Sequence, residues 1–539
     1  MPTLALRGGE ALALGAVAAG IRSATSYPGS PSSEVVQTLI DQAGDHDVQV
    51  EWASNERVAL ETAIGVSIAG RRALVCAKSV GVNVMIDPLM VLNLTPVHGG
   101  LVIVLGDDPG GYGSQNDQDT RPLAPFLEMP MLEPSTPDEA YRMMVEAFDL
   151  SERFQTAVIL RETRSFAQSS GDVELPDPSP APEGRGPVRE PWRFVPVPGN
   201  VVAKHRVSHD RIEAFAAWGE TSPYLRASGS GDLGVIAAGF AARKLDDVLG
   251  DPPPEGLRSL RLGLLHPLPA SAIGRWLEAC REVLVVEETE PFLEQAIRAI
   301  AHTRAPRTRI LGKATGHLRP EGELFRWRIR EALLQWRPDL KLIGDYTAQD
   351  EASERPSRES HCAGCRYDEV LDAIAEVARS LGSHPYLVGD PGCLVTVAER
   401  LDAKYAIGSA IGVAHGLTLG GLSDRIVALF GDSAFFHSAI PALCHAVVTR
   451  SPILMVVLDN QSTRTSGNQP HPGVGRDALG RPAPKLSIER IARACGIDEV
   501  RAVSLDHPPS ELRAALAELW SRHDPVLIVV EIPPGMIVG

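Results

Sequence analysis

The stretch Ile426-Val-Ala-Leu-Phe-Gly-Asp432 is an apolar run that stops on a Gly-Asp pair, and a second run, Ile453-Leu-Met-Val-Val-Leu458, stops on Asp459-Asn460. Short apolar runs of this kind read as buried strands of a parallel sheet, and the Phe-Phe-His-Ser stretch between them as the start of a helix. In an open parallel sheet, ligands bind at the carboxyl ends of strands. Asp432 and Asn460 each fall at such an end, so neighbouring strands would set two hard oxygen ligands side by side. Mg²⁺ takes octahedral oxygen coordination at about 2.0–2.1 Å and completes its shell with phosphate oxygens. The backbone carbonyl of Ser462 is the candidate third protein ligand. Asp and Asn after strands are also ordinary turn formers. The order Gly, Asp, helix start, Asp-Asn selects a thiamine-diphosphate site over that reading.

The rest of the composition sets the bounds. A chain of 539 residues has room for about three or four domains. An apolar fraction of 44% supports several cores, and a net charge of −16 argues against a nucleic-acid or anionic-membrane partner. Seven cysteines, at 76, 280, 362, 365, 393, 444 and 495, are too few for a disulfide framework in so long a chain, so a reducing, cytoplasmic compartment is expected. No run reaches the roughly 18 apolar residues of a membrane helix. Ala11–Ile21 is Gly- and Ala-rich and Glu10 interrupts its flank, so it reads as a first helix rather than a signal peptide.

Strand and helix patterns alternate along the chain. Ala24–Tyr27, Val48–Trp52, Ala73–Lys78 and Leu101–Leu105 read as strands, and residues 56–69 as a helix. The expected architecture is α/β, with three doubly wound units: residues 1–166, 201–342 and 361–539. A Pro-rich linker, 167–200, and a polar one, 343–360, separate them. Residues 201–225 are polar and carry no clear pattern.

Thiamine diphosphate needs a carboxylate against the far ring nitrogen of its aminopyrimidine. Glu56, where a strand passes into a helix in Ser54-Asn-Glu-Arg-Val-Ala-Leu-Glu61, is the candidate. Acidic residues are common in a first helical turn because the helix dipole favours them. Glu61 is a competitor on the same helix.

The same residues carry a resemblance. Tyr27-Pro-Gly-Ser-Pro-Ser-Ser-Glu34, the Glu56 segment, Asp107-Asp-Pro-Gly110 with Ser114-Gln-Asn-Asp-Gln-Asp-Thr-Arg121, His266-Pro-Leu-Pro269, Glu287-Glu-Thr-Glu-Pro-Phe-Leu293, Gly431-Asp-Ser-Ala-Phe-Phe-His-Ser438 and Gly467-Asn-Gln-Pro-His-Pro-Gly473 look like the α subunit of indolepyruvate:ferredoxin oxidoreductases. The resemblance spans nearly the whole chain. It implies a pyrimidine-binding (Pyr) domain first, a middle α/β domain, and a diphosphate-binding (PP) domain last. It implies oxidative decarboxylation of an aryl or branched 2-oxoacid to the acyl-CoA, with coenzyme A as co-substrate. It also implies a smaller β-type subunit, and ferredoxin or another carrier for the electrons. A homodimer of this chain within a hetero-oligomer is expected. By position, Glu56 becomes the activating carboxylate, and Ser30 falls in a turn that touches substrate. Gly431, Asp432, Ser433, Asn460 and Gln469 would contact the cofactor or its metal, and His471 would lie close to it.

Two departures stand out. Cys362-Ala-Gly-Cys365 and Cys393 match positions where the superfamily binds a [4Fe–4S] cluster, which takes four Cys ligands. The tail position of the fourth reads Glu531-Ile-Pro-Pro-Gly535 instead. Cys444 and Cys495 read as buried helix thiols, and a C-x₂-C pair is also a zinc or redox signal. No pair of C-x₂-C-x₂-C-x₃-C-P runs is present, so a ferredoxin-like domain is missing from the pattern. Two alternatives follow: a non-oxidative thiamine-diphosphate decarboxylase or carboligase, and a non-catalytic scaffold subunit that binds the cofactor.

Overall fold

The computed structural model describes residues 3–42, 47–176, 184–190, 192–356 and 366–533. They form two compact units. One comprises Met1–Glu51 and Glu56–Arg358, the other Trp52–Asn55 and Glu359–Gly539. Among the described residues no helix is long and apolar enough to cross a membrane.

The first unit holds two main sheets. One runs from edge to edge as Leu264–His266, Met131–Leu132, Val158–Thr163, Leu101–Asp107, Ala73–Lys78, Ser23–Ser26 and Gln49–Trp52. Leu264–His266 joins it antiparallel. Without that strand, numbering the others in chain order gives 2-1-3-4-6-5. The chain reverses its direction of travel between Ser23–Ser26 and Ala73–Lys78, and a crevice opens at such a switch point. The central strands are buried on both faces, with every residue of Leu101–Asp107 inside, which is why they read as unbroken apolar runs. The second sheet runs Arg309–Leu311, Glu282–Val286, Leu233–Ala238, Leu257–Leu262 and Leu225–Gly229. Its own switch point is plugged. Glu287, after strand Glu282–Val286, accepts the N–H groups of Leu293 and Glu294 at 2.7 Å and pairs with buried Arg121 at 2.7 Å. A third, small ribbon pairs Thr3–Arg7 antiparallel with Ser170–Glu174.

The segment left unassigned from sequence, 201–225, forms helix Val201–Gly219. Its pattern was obscured because few of its residues are buried. Phe215 is one, with its ring 4.9 Å from that of Phe154 in the first sheet's longest helix, Pro137–Phe154. The polar stretch after residue 166 likewise carries the strand Ser170–Glu174.

In the second unit six parallel strands run Ala403–Lys404, Tyr386–Gly389, Ile426–Gly431, Leu454–Asp459, Val526–Glu531 and Val500–Ser504. Numbered in chain order they again read 2-1-3-4-6-5. Its switch point lies between Tyr386–Gly389 and Ile426–Gly431, so Asp390 and Asp432 flank the crevice. Two apolar clusters cover the faces, one around Ile374, Leu516 and Trp520, the other around Phe430, Phe435 and Leu443. Cys444 was expected to be buried and is exposed. Helix Ile440–Val448 buries Leu443 and Ala446, and Cys444 falls on its opposite face. Cys495 is half-buried.

Candidate functional site

In the first unit the predicted residues gather at the switch point. Glu56 begins helix Glu56–Ile68 and is 5% exposed. Its carboxylate packs on Gly81 of the short helix Ser79–Val82, which follows the neighbouring strand Ala73–Lys78. A Cβ at Gly81 would lie 2.2 Å from Glu56 Oε1, so only glycine leaves room for the acid there. Glu61, the competitor, is exposed and pairs with Arg57 at 2.8 Å. The two acids thus differ sharply in burial. Ser30 is half-buried in the turn after Ser23–Ser26. That turn is tightly braced: Gly29 N–H donates to Ser33 Oγ at 2.6 Å, and Ser32 Oγ donates to the Gly29 carbonyl at 2.9 Å.

The loop after Leu101–Asp107 is held over the same edge. Asp108 Oδ2 accepts from Gly113 N–H and Ser114 Oγ, both at 2.7 Å, and Lys78 Nζ donates to the Gly113 carbonyl at 2.6 Å. Below it Arg161, fully buried, bridges Asp107 and Glu133 at 2.8 Å each. Burial lifts the Asp107 carboxyl to about 6 although Arg161 pulls it down.

In the second unit Asp432 and Asn460 are 2% and 3% exposed. Gly431 pairs with Leu458 across the parallel strands, which brings the two residues to one edge. Asp432 Oδ1 accepts from Ser433 N–H at 2.8 Å and Oδ2 from Ser462 N–H at 3.3 Å. His471 Nε2 lies 3.0 Å from Oδ2. Gly473 N–H donates to the other ring nitrogen, Nδ1, at 3.2 Å. With Nδ1 accepting from Gly473, Nε2–H is the donor to Asp432, and the ring orients that carboxylate. Asn460 donates from Nδ2 to Tyr367 Oη at 2.9 Å and to Cys393 Sγ at 3.6 Å. Its Oδ1 is buried without a hydrogen-bond partner. Ser433 Oγ lies 3.1 Å from Thr463 Oγ1. Gln469 is buried, but its amide is spent on its own loop: Nε2 donates to the Ser466 carbonyl at 2.6 Å, and Oε1 accepts from Ser466 Oγ at 3.1 Å. It braces the loop that carries Ser462. Gln461 and Asn468 in that loop adopt left-handed φ values of 55° and 62°, a cost that elsewhere marks shaped functional loops.

Three features fit a cation and phosphate oxygens at this edge. Asn460 Oδ1 lacks a donor, and an unpaired buried oxygen is costly unless something binds it. Asp459 is crowded by a like charge: burial first, and then Asp432, raise its carboxyl to about 7. Finally, the space above Gly431 is open, with no atom within 4 Å of where a Cβ would stand.

Residues overlooked in the sequence complete the crevice. Asp390 is fully buried and accepts Gly408 N–H at 2.6 Å and Ala410 N–H at 2.8 Å, fixing the start of helix Ala410–Leu419. The signal was an Asp directly after a strand and before Pro391. Tyr367 offered no local signal; only the fold brings it to Asn460. The helix after Asp432 widens into a π-turn at Phe435–Ala439. Pro441 accounts for it, since it lacks an N–H and its ring crowds the carbonyl four residues back. Cys362 and Cys365 lie outside the described residues, so the expected cluster is represented here by buried Cys393 alone.

Comparison with known proteins places these edges in families. Residues 14–196 match the thiamine-diphosphate-binding model of pyruvate flavodoxin/ferredoxin oxidoreductases. Residues 402–530 match the C-terminal thiamine-pyrophosphate-binding domain of thiamine enzymes. Indolepyruvate oxidoreductase subunit IorA of Pyrococcus abyssi is 34% identical over 529 residues, spanning 92% of this chain and 80% of the relative. The IorA subunits of Methanothermobacter thermautotrophicus and Archaeoglobus fulgidus are each 34% identical over 99% of this chain, and over 87% and 86% of their own lengths.

Proposed function

The chain belongs to the IorA family of thiamine-diphosphate-dependent 2-oxoacid:ferredoxin oxidoreductase subunits, and from that premise we propose that it oxidises an aryl or branched 2-oxoacid, such as indolepyruvate or phenylpyruvate, to the acyl-CoA. The observation that carries the site assignment is the orphaned Oδ1 of Asn460 beside Asp432 at the second unit's switch point. The balance of the reaction is 2-oxoacid plus coenzyme A to acyl-CoA, CO₂, two protons and two electrons.

When bound, thiamine diphosphate supplies the electron sink that lets a 2-oxoacid lose CO₂. The chain's own residues divide the remaining work. Asp432, Asn460 and the Ser462 carbonyl would hold Mg²⁺, and Gly431 and Ser433 would leave room for diphosphate oxygens. His471 donates its Nε2–H to Asp432 and keeps that ligand aimed. Gln469 fixes the loop that presents Ser462. Glu56, buried against Gly81, would be the carboxylate that hydrogen-bonds the aminopyrimidine. Ser30 contacts the substrate. Two electrons would pass to ferredoxin or another carrier, with a smaller subunit completing the complex; Cys362, Cys365 and Cys393 would supply three of the four thiolates that a [4Fe–4S] cluster on that path needs.

The test is anoxic purification with a co-expressed small subunit, iron and thiamine analysis, and substrate-dependent reduction of an acceptor dye. Acyl-CoA should form from aryl pyruvates only with coenzyme A and the acceptor present. Glu56→Gln should abolish turnover, and Glu61→Gln should leave it near wild type. Aldehyde release without any acceptor would replace this reading with non-oxidative decarboxylation.

A further inference from the structure

Outside that site, three metal-competent side chains converge on the first unit. Helix Val201–Gly219 carries His205 and His209. Residues four apart on a helix share one face, and their rings stand 4.4 Å apart. Both point Nε2 at one carboxylate, that of Glu128. His205 Nε2 is 2.7 Å from Glu128 Oε1 and 2.9 Å from Oε2, and His209 Nε2 is 3.0 Å from the same Oε1. The three ligand atoms lie within 4.8 Å of one another.

We propose that Glu128, His205 and His209 form a binding site for a divalent transition ion of the Zn²⁺ class, with water in the fourth position. Two imidazole nitrogens and one carboxylate oxygen are a donor set suited to Zn²⁺ rather than Mg²⁺, which takes oxygen alone. Tetrahedral bonds of about 2.0–2.1 Å put donor atoms roughly 3.3 Å apart. The two histidine–carboxylate separations are shorter by a few tenths of an ångström, so each ring needs to part only slightly from Glu128 to admit the ion. The histidine side chains are 47% and 55% exposed and that of Glu128 is 24% exposed, which leaves a path for the ion and room for its water. Binding uses the Nε2 lone pairs, so each ring keeps its proton on Nδ1.

Glu128 is held for this arrangement. It caps helix Leu123–Leu127 in the left-handed region, with φ 52°, where glycine or asparagine is the usual residue. The site also joins two distant stretches of chain. Glu128 belongs to the first sheet's surroundings, whereas His205 and His209 lie on the helix that follows the Pro-rich segment. A bound ion would fasten that helix to the first sheet, adding to the Phe154–Phe215 contact. The role is structural, and it is independent of the thiamine-diphosphate reading.

The experiment uses the full chain, stripped of transition metals and then saturated with Mg²⁺ and thiamine diphosphate. Zn²⁺ is titrated in competition with a chromophoric chelator, for wild type, His205→Gln/His209→Gln and Glu128→Gln. Wild type should take up one equivalent more than the double variant, and its melting temperature should rise with Zn²⁺ where the variants' do not. Co²⁺ in place of zinc should give a wild-type-minus-variant spectrum with visible ligand-field bands and no thiolate charge-transfer band. Equal stoichiometry in wild type and double variant would overturn the proposal. So would a thiolate band in the difference spectrum, which would move the extra ion to cysteines. Metal-free melting of the three proteins checks folding; if the double variant melts low, His205→Gln alone carries the same comparison. Loss of oxidoreductase activity plays no part in this readout, so failure here is distinguishable from failure of the proposed reaction.

Discussion

The assignment of Glu56 can be challenged without touching Glu56. Gly81→Ala places a methyl 2.2 Å from its Oε1, 2.8 Å from Cδ and 3.0 Å from Cγ. Ordinary van der Waals contact begins near 3.4 Å, so the carboxylate has to retreat by more than about 1 Å, since the helix backbone beneath the methyl is fixed. A displacement of that size at a reacting group costs about 10²-fold in rate, or about 2.7 kcal/mol of barrier. The fold pays less. Overpacking costs about 1–3 kcal/mol, and replacing glycine in a helix returns roughly 1 kcal/mol. Gly65→Ala is the matched control: the residue is exposed on the same helix as Glu56 and its Cβ meets nothing within 4 Å. In acceptor-dye assays of the anoxic complex, G81A should lose about two orders of magnitude in kcat with its secondary structure intact. G65A should match wild type in rate and melt slightly higher. If a folded G81A turned over at the wild-type rate, the position of the Glu56 carboxylate would not matter to catalysis, and the reasoning would fail.

Three further outcomes are expected. Asn460→Ala removes one proposed metal ligand; at about 1.5–3 kcal/mol for a bond to a charged group, Mg²⁺–thiamine diphosphate affinity should fall roughly 10- to 150-fold in a fluorescence-quenching titration, and an unchanged Kd would strike Asn460 from the ligand set. Burial raises the Asp390 carboxyl to about 7 despite the N–H groups of Ala410 and Gly408, so the folded chain keeps a proton that the unfolded chain, near about 3.9, has released. Stability from this group therefore falls as pH climbs from about 4 to about 7 and is flat above; Asp390→Asn should flatten that segment in denaturant titrations, and curves parallel to wild type would refute it. Arg161→Ala strands Asp107 and Glu133 without their shared cation, which should cost about 3–5 kcal/mol, read as a lower urea midpoint; a loss under about 1 kcal/mol would show the network to be dispensable.

Legibility from sequence followed burial on both faces. The strands Ala73–Lys78, Ile426–Gly431 and Leu454–Asp459 were plain because parallel strands covered on either side leave unbroken apolar runs. Helix Val201–Gly219 was opaque because it buries little, so no apolar stripe marks it. Asp432 and Asn460 could be placed from strand ends alone. Glu56 could be named over Glu61 from the resemblance; the difference in burial between the two acids, through the Gly81 contact, joins separate segments and could not be read. Tyr367 and the meeting of His205 and His209 with Glu128 depend on tertiary placement that no local spacing encodes, whereas Asp390 had a local signal in its place between a strand and Pro391. Cys444 was misjudged because helix periodicity, not residue type, decides which thiol faces inward.

The ribbon of Thr3–Arg7 with Ser170–Glu174 imposes an order on events at the ribosome. At ordinary elongation rates roughly 10–30 s separate synthesis of the two strands. For that interval Thr3–Arg7 is a nascent strand with its hydrogen-bonding edge open, while the sheet between the two can already assemble. The ribbon thus closes after the six strands that lie between its two halves in the chain, with Leu264–His266 still to join the sheet, and a chain stalled before residue 170 exposes an edge that invites pairing with its neighbours on the same polysome.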